Sequence, residues 1–427
     1  MQIGDRIAAL GVSHVHAGGA DHLGVWRGKR VAAGTAARGR IGFSDGVFGL
    51  DIAGEWVPPP AGHTGWYPSS DAGYPDMLLA LDEATAVACP WLGGEGWVLG
   101  DWLVPDGSPL PLCPRGALRR VLGELGRRDL ELRAAFELEC YLVPADGPLH
   151  ERAYPYHGLR TALDRGLVDA IVAPLEGSGV QVEAANFENG IGQLELNVAY
   201  RDALGAADEA FLAKQAIRVA AAGLGLRASF MARPYADEPG SSAHVHLSLW
   251  RGDVGAGDEV LRHALAGLCA TLPAAVALCL PFANSYARMQ RHSLAATTRT
   301  WAPENRTVAL RTVGADGAID RIEHRLPGAD CNPYDALAAL VAGILTGLDD
   351  ATDPPPATEG NCDELPGLEL LPRTPTDAVA ALRADTALTA VLGADLVAHR
   401  LVMLEGEAEA ARVRVSDADR RRYFELA

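Results

Sequence analysis

The chain has 427 residues, 48% of them hydrophobic and 22% charged, with a formal net charge of −18. That balance suits a globular enzyme with more than one core and excludes disordered, fibrous and repeat classes. So large a negative charge also argues against sequence-independent nucleic-acid binding, which needs basic side chains to neutralise phosphates, and leaves small molecules or further copies of the chain as expected partners.

Even the longest apolar stretches, such as 338–348, fall short of the roughly 20 residues that span a bilayer. The N-terminus carries no basic segment followed by an apolar core, so the expectation is a cytoplasmic protein without a membrane partner. Seven scattered cysteines with no CxxC pair fit neither a disulfide framework nor a zinc site and are read as buried thiols. Lysine occurs only at Lys29 and Lys214, and no GxxxxGK[ST] is present. Any nucleotide must therefore be held by arginines and metal ions instead of a P-loop.

In chain order, short β-type runs alternate with turns over the first hundred residues, among them Gly24 to Val31 and Gly46 to Ile52. They predict a small β-rich domain over 1–105. A turn at Pro105-Asp-Gly107 leads into a helix expected over Arg115 to Gly126 and into a larger domain over 106–427. Between Arg201 and Gly223, the spacing of Leu204, Ala207, Phe211 and Ala216 predicts a helix. Asn332 followed by Pro333 predicts the capped start of a helix running through Leu348. The Pro354-Pro-Pro356 run predicts a surface loop, and Ser416 with Asp419 predicts a capping box for the last helix.

Five segments place polar or ionisable residues two apart: Phe136 to Val143, Gln193 to Val198, Ala243 to Leu249, Thr307 to Val313 and Arg321 to Leu326. Side chains on a strand alternate faces, so Glu137 and Glu139 point together, as do His244, His246 and Ser248, and as do Arg321, Glu323 and Arg325. One such strand could simply be a wetted antiparallel face. Five together, rich in Glu, His and Arg with apolar partners opposite, point to a site. Glu137, Glu139, Glu188, Glu195, Glu323 and His244 offer oxygen-rich ligation suited to Mg²⁺ or Mn²⁺ and poor for structural zinc. Arg288, Arg306, Arg311, Arg321 and Arg325 add fixed positive forks for phosphates and carboxylates. Metals with arginines imply phosphoryl transfer, where catalysis is chiefly positioning and charge neutralisation.

Taken in series, Phe136-Glu-Leu-Glu139, Asn186-Phe-Glu-Asn-Gly-Ile-Gly-Gln-Leu-Glu195, Phe230-Met-Ala-Arg-Pro234, Gly240-Ser-Ser-Ala-His-Val-His246, Asn284-Ser-Tyr-Ala-Arg288, Asn305-Arg306, Arg321-Ile-Glu-His-Arg325 and Asn332-Pro-Tyr334 resemble the glutamine synthetase family in order and spacing. The resemblance implies an α+β fold, with an N-terminal β-grasp domain and a catalytic domain on a curved, largely antiparallel sheet. It further implies a dodecamer of stacked rings with each active site between neighbouring subunits. By the same resemblance two or three Mg²⁺ or Mn²⁺ ions are expected, Glu139, Glu188 and Glu195 holding one and Glu137, His244 and Glu323 another. Arg288, Glu139 and Gly240 would line the glutamate site, and Arg325 would hold the reacting carboxylate. Arg306, Arg311 and Arg321 would take the ATP phosphates, while Glu183, Tyr200, His246 and Ser248 match nucleotide-side positions. Asp51 is the acid that a neighbouring subunit would contribute to deprotonate the amine.

Three departures bear on substrate. In ammonia-using members a flap glutamate closes the site over ammonium, and here the flap reads Met289-Gln-Arg-His-Ser-Leu-Ala-Ala-Thr297 with Leu294 at that position. The tyrosine that some bacterial members adenylylate is absent from Asn361-Cys-Asp-Glu-Leu-Pro366, and Pro239 precedes Gly240 where many relatives carry Asn. Gly24-Val-Trp-Arg-Gly-Lys-Arg30 and Gly328-Ala-Asp-Cys-Asn-Pro-Tyr334 are similar to the γ-glutamyl-amine ligase branch. The expected reaction is ATP-dependent ligation of glutamate, or a close analogue, to a primary amine. A glutamine synthetase with an atypical flap and a non-catalytic ring-forming regulator are the alternatives.

Overall fold

The computed structural model of the protein describes residues 2–153 and 155–425. The N-terminal strands are β1 (His14–Ala20), β2 (Trp26–Ala32), β3 (Arg40–Ser44), β4 (Asp76–Leu81), β5 (Val87–Cys89) and β6 (Glu95–Leu103). They form one sheet in the order β2-β1-β6-β4-β3 with β5 on β6, and β1 and β6 run parallel. The run expected as a strand over Gly46 to Ile52 is instead a 3₁₀ turn, Asp45–Gly49. Gly49 explains the difference: a Cβ there would lie 2.2 Å from the Trp56 ring, so the chain turns tightly beneath that indole.

The catalytic strands are β7 (Glu131–Pro144), β8 (Val182–Phe187), β9 (Gln193–Val198), β10 (Arg201–Asp202), β11 (Leu226–Ser229), β12 (Ala243–Arg251), β13 (Val254–Gly255), β14 (Trp301–Pro303), β15 (Leu310–Val313) and β16 (Arg321–His324). Their order is β14-β15-β16-β12-β7-β9-β8, antiparallel except between β14 and β15. The spine is β7, which pairs with β12 and then β11 along one edge and with β9 and β10 along the other. Leu132, Ala134, Phe136 and Leu138 of this strand are buried, and the alternate face carries Arg133, Ala135, Glu137 and Glu139. Two expected strands are shorter than read: β15 starts at Leu310 because Asn305 Oδ1 accepts the Thr307 N–H at 2.9 Å and turns the chain, and β16 ends at His324.

Helices cover the apolar face of this sheet. The Asp258–Cys279 helix is apolar and long enough to cross a membrane by composition, yet lies mostly buried against the Pro333–Asp350 helix. Their approach requires glycine, since a Cβ on Gly267 would lie 2.1 Å from the Gly343 carbonyl oxygen. The expected helices at Pro114–Gly126, Ala203–Gly223 and Asp417–Tyr423 are present, and the last has the Ser416–Asp419 capping box. Phe211, Leu118 and Tyr334 are fully buried in the large core, each such side chain contributing about 1.5–3 kcal/mol.

The two sheets are joined by a charged knot. The Arg115 guanidinium donates to both Asp208 oxygens at 2.8 Å, to Asp82 at 2.8 Å and to Asp101 at 3.1 Å. Nearby, the Asn332 side-chain amide donates to the Asp21 carbonyl at 3.0 Å, which fixes the β1–β2 turn on the start of the Pro333–Asp350 helix.

Candidate active site

The polar face of the sheet collects the predicted residues because their strands are neighbours in register: Glu137 pairs with His244, Glu139 with Glu195, and His246 with Glu323. His246 Nε2 donates to Glu137 Oε1 at 2.8 Å and His244 Nδ1 to Oε2 at 3.2 Å. Burial works to raise the Glu137 carboxyl, but the two imidazoles overcome it and hold it well below the usual carboxylate range. Burial, with Arg325 beside it, pushes His244 down to about 4.

Glu139 is buried, accepting from Ser242 N and Gln193 Nε2 at 2.9 Å each. Burial nonetheless pushes it up to about 7, and burial with repulsion from Glu139, Glu137 and Glu188 pushes Glu195 up to about 8. Buried carboxylates crowded this closely call for a cation. Glu137, His246 and Glu323 place one donor atom each within 4.8 Å of one another. His244 lies beside them, its Nδ1 3.7 Å from Glu323 Oε1. Oxygen donors with one imidazole fit a hard divalent ion, so this chemistry is compatible with Mg²⁺ or Mn²⁺. The expected trio has His244 in place of His246, and its Nδ1 is also 3.2 Å from Glu137 Oε2.

Beside the carboxylates opens a cleft of about 630 Å³. It brings together Glu183, Tyr200, His246, Ser248, Arg306, Arg311 and Arg321, all the expected nucleotide-side residues. Arg311 donates to Glu323 at 2.8 Å and also contacts Glu304, while Arg321 Nε reaches His246 Nδ1 at 3.3 Å. Two wall residues, Arg133 and Trp250, were not singled out from sequence, although both extend the period-two faces of Glu137 and Ser248. The Trp250 indole donates to Ser248 Oγ at 2.8 Å, stands parallel to Tyr200 at 6.4 Å between ring centres, and carries the Arg133 guanidinium 4.2 Å above it.

On the other side, Arg288 is buried and tied by backbone, its Nη1 donating to Leu326 O at 2.9 Å and its Nη2 to Arg325 O at 3.2 Å. Gly240 packs on it so closely that a Cβ would sit 2.6 Å from Arg288 Cγ. Arg325 contacts Glu323 and donates from Nη2 to the Leu294 carbonyl at 3.3 Å, joining the flap to the carboxylates. Glu188 accepts from Asn186 at 2.9 Å and from Asn189 at 3.1 Å, and burial, with the charge of Glu188 next, raises the Tyr156 hydroxyl. Sequence periodicity could not reveal Tyr156, which sits in a turn at φ +52°. Asp51 is not among the cleft residues of the single chain; its carboxylate accepts from Ala53 N at 2.9 Å and Glu55 N at 2.8 Å in an N-terminal turn.

Residues 111–423 match the model of the glutamine synthetase catalytic domain. The chain belongs to the glutamine synthetase family. Among its relatives in that family is a glutamate–isopropylamine ligase of Pseudomonas, 34% identical over 389 residues that cover 84% of this chain and 83% of the relative. Another is the gamma-glutamylethanolamide synthetase GlnA4 of Streptomyces coelicolor, 34% identical over 377 residues that cover 84% and 81%. A solved GmaS/ADP complex superposes with a TM-score of 0.84 at 26% identity and covers 100% of both chains. A ligase of the glutamine synthetase type accounts for carboxylates on one strand face and arginines facing them.

Proposed function

We propose that the protein joins the γ-carboxylate of glutamate, or of a close analogue, to a primary organic amine at the expense of ATP. In the first step a γ-carboxylate oxygen attacks the γ-phosphorus of ATP and the bond to the ADP oxygen breaks, leaving γ-glutamyl phosphate. In the second, the amine nitrogen attacks the acyl carbon, inorganic phosphate leaves, and the nitrogen gives up a proton. Arg288, held by two backbone carbonyls and packed on Gly240, presents a fork to the α-carboxylate. Arg325 faces the reacting carboxylate, and Arg306, Arg311 and Arg321 neutralise the phosphates as charge moves among them. Tyr200 and Trp250 offer flat surfaces to the base. Divalent ions on Glu137, Glu139, Glu188, Glu195, Glu323 and a histidine would supply the remaining neutralisation of phosphate charge.

The observation that carries the amine is Leu294. Its side chain is 46% exposed beside the arginine that meets the acyl group, while its carbonyl is bonded to that same arginine. An apolar side chain there gives no counter-charge to ammonium and does give a carbon chain something to rest on. The two named amine-ligating relatives support the same reading. Asp51 completes the site as a proton acceptor only if it comes from a neighbouring copy, which is why we also propose a ring assembly, with 1–105 as the domain that reaches across and the cytoplasm as its compartment.

The test is product mass and phosphate release with ATP, Mg²⁺ and glutamate against ammonium, methylamine, ethanolamine, putrescine and aniline. An organic amine is expected to be preferred. Preference for ammonium would return the protein to glutamine synthesis with an unusual flap, and no turnover with any of them would favour the non-catalytic reading.

A further inference from the structure

Gln193 opens β9 opposite Tyr141 and two residues before Glu195, so its side chain stands on the polar face of the sheet, diagonal to Glu139. It is 2% exposed, and both ends of its amide are bonded. The nitrogen has two hydrogens and three acceptors in reach: Glu139 Oε2 at 2.9 Å, Gly240 O at 3.1 Å and Ser241 Oγ at 3.2 Å. The oxygen accepts from Gly190 N at 3.0 Å. A backbone N–H can only donate, so this last bond sets which end of the amide is oxygen and aims the nitrogen at Glu139 and Gly240.

The two main acceptors belong to different halves of the site. Glu139 is one of the carboxylates offered to a cation, and its other side-chain donors, the N–H and hydroxyl of Ser242, reach it from a single residue. Gly240 instead packs on Arg288, the arginine that meets the α-carboxylate in the reaction proposed above. The turn before Gln193 grips the same loop again: the Tyr141 hydroxyl donates to Pro239 O at 2.8 Å, and a Cβ on Gly190 would lie 2.0 Å from that hydroxyl oxygen. Glutamate at 193 would set an oxygen against Glu139 and Gly240 O. Methionine would leave the Gly190 N–H and Gly240 O without this partner.

We propose that Gln193 is a positioning residue for both halves at once, aiming Glu139 at the cation and holding the Gly240 loop for glutamate, so that each ligand binds more tightly when the other is present. The inference rests on the metal and glutamate sites of the reaction proposed above. The coupling follows from one amide serving two acceptors. With Glu139 neutralised by a cation, the amide bonds more firmly to Gly240 O and steadies the loop packed on Arg288. With glutamate holding that loop, the amide is fixed in turn, and Glu139 with it. Such coupling is reciprocal by linkage.

Calorimetric titration of the full chain without ATP tests it, with Mn²⁺ added in the presence and absence of saturating glutamate, and glutamate in the presence and absence of Mn²⁺. In the wild type each ligand is expected to tighten the other by about fivefold or more, by the same factor in both orders. In Gln193→Met, Mn²⁺ affinity is expected to fall about 10- to 100-fold, as when a metal ligand loses an orienting bond, and the coupling factor to drop to about one. Ser242→Ala removes a bond to Glu139 without touching Gly240, so it should weaken Mn²⁺ and keep the factor. Should Gln193→Met fail to fold, Gln193→Asn keeps an amide one carbon short of both acceptors and is expected to lose the factor as well. Unchanged Mn²⁺ affinity or a surviving factor in a folded Gln193 variant overturns the assignment, as does a wild type that binds both ligands independently. A wild type that binds neither overturns the metal and glutamate sites themselves, and this inference with them.

Discussion

Glu137, His246 and Ser248 stand on strands hydrogen-bonded on both sides, whereas Tyr156, His292 and Leu294 stand in turns at φ +52°, +62° and +57°. In the reaction proposed above the first group faces metal and nucleotide, and Leu294 of the second faces the amine. A ladder fixes every second side chain to one face, so the phosphoryl end is determined by strand register. The amine end depends on single turns whose geometry an L-residue adopts only with support from its surroundings, such as the bond from Arg325 to the Leu294 carbonyl. Chemistry common to a family belongs on the first kind of backbone, and substrate choice can vary on the second without disturbing it.

The strand-built half can be broken at single atoms. Glu195→Gln keeps the shape of a side chain crowded by Glu137, Glu139 and Glu188 and removes its charge. Turnover measured by phosphate release is expected to fall on the order of 10³-fold, as when one preorganised electrostatic group is lost. The metal-free protein should melt at a higher temperature near neutral pH, because a buried carboxyl raised to about 8 no longer has to take up a proton on folding. A loss of activity below tenfold, or a lower melting point in chelator, would break the assignment of this face. Arg288→Lys comes next: the charge stays but the fork anchored on Leu326 O and Arg325 O is lost. About 1.5–3 kcal/mol of charge-assisted bonding is involved, so KM for glutamate should rise well over tenfold with KM for ATP little changed. Equal shifts in both constants would place Arg288 elsewhere.

How much of this the sequence already contained follows the same division. The alternation in Phe136 to Val143 and Ala243 to Leu249 was enough to pair Glu137 with Glu139 and His244 with His246, and extending it by two steps back from Glu137 and one beyond Ser248 would have added Arg133 and Trp250. Asn332 and Pro333 marked their helix because a cap acts within four residues. Gly46 to Ile52 misled because strand-like composition says nothing of Trp56, whose ring forces Gly49 into a tight turn. Tyr156 was illegible because it stands in a turn that shares no period with the strands of the site. Asp51 matched only by resemblance, and the single chain keeps it out of the cleft.

The N-terminal turn that carries Asp51 offers a smaller effect, read through pH. His399 is buried, its Nε2 donating to Phe48 O at 2.7 Å and its Nδ1 accepting from Arg400 at 3.1 Å, so it is held neutral. His22, His63 and Tyr67 also face its ring, and burial, with Arg400 next, lowers it well below the ordinary value of 6.5. The folded form thus binds fewer protons than the unfolded form below pH 6.5. Its contribution is complete above that pH and is lost as pH falls, by about 1.4 kcal/mol per unit or about 2 kcal/mol by pH 5. His399→Gln should cost stability at pH 7.5 in urea melts, and its deficit against wild type should narrow by about that amount at pH 5. A deficit independent of pH would mean that the junction titrates elsewhere.

The smallest effect is the most informative about the turn-built half. Ammonium is protonated near neutral pH, so an enzyme that uses it needs carboxylates both to hold the cation and to take its proton as the lone pair attacks. Leu294 supplies neither, which in the reaction proposed above leaves that work to Glu188 and to Asp51 of a neighbouring copy. A carbon chain can instead lie on the Leu294 side chain, each buried methylene adding about 0.8 kcal/mol, or about fourfold in kcat/KM. Across methylamine, ethylamine and propylamine, kcat/KM is therefore expected to climb by up to about fourfold per step, with ammonium lowest. In Leu294→Glu that slope should flatten while ammonium gains, because the new carboxylate attracts the cation and no longer offers an apolar surface. KM for ATP should stay fixed in both proteins, since most of the cleft residues lie on strands that the flap does not pair with. A steep slope surviving in Leu294→Glu would place the amine's carbon chain on another wall, and ammonium preferred by the wild type would show that the flap does not choose the nucleophile.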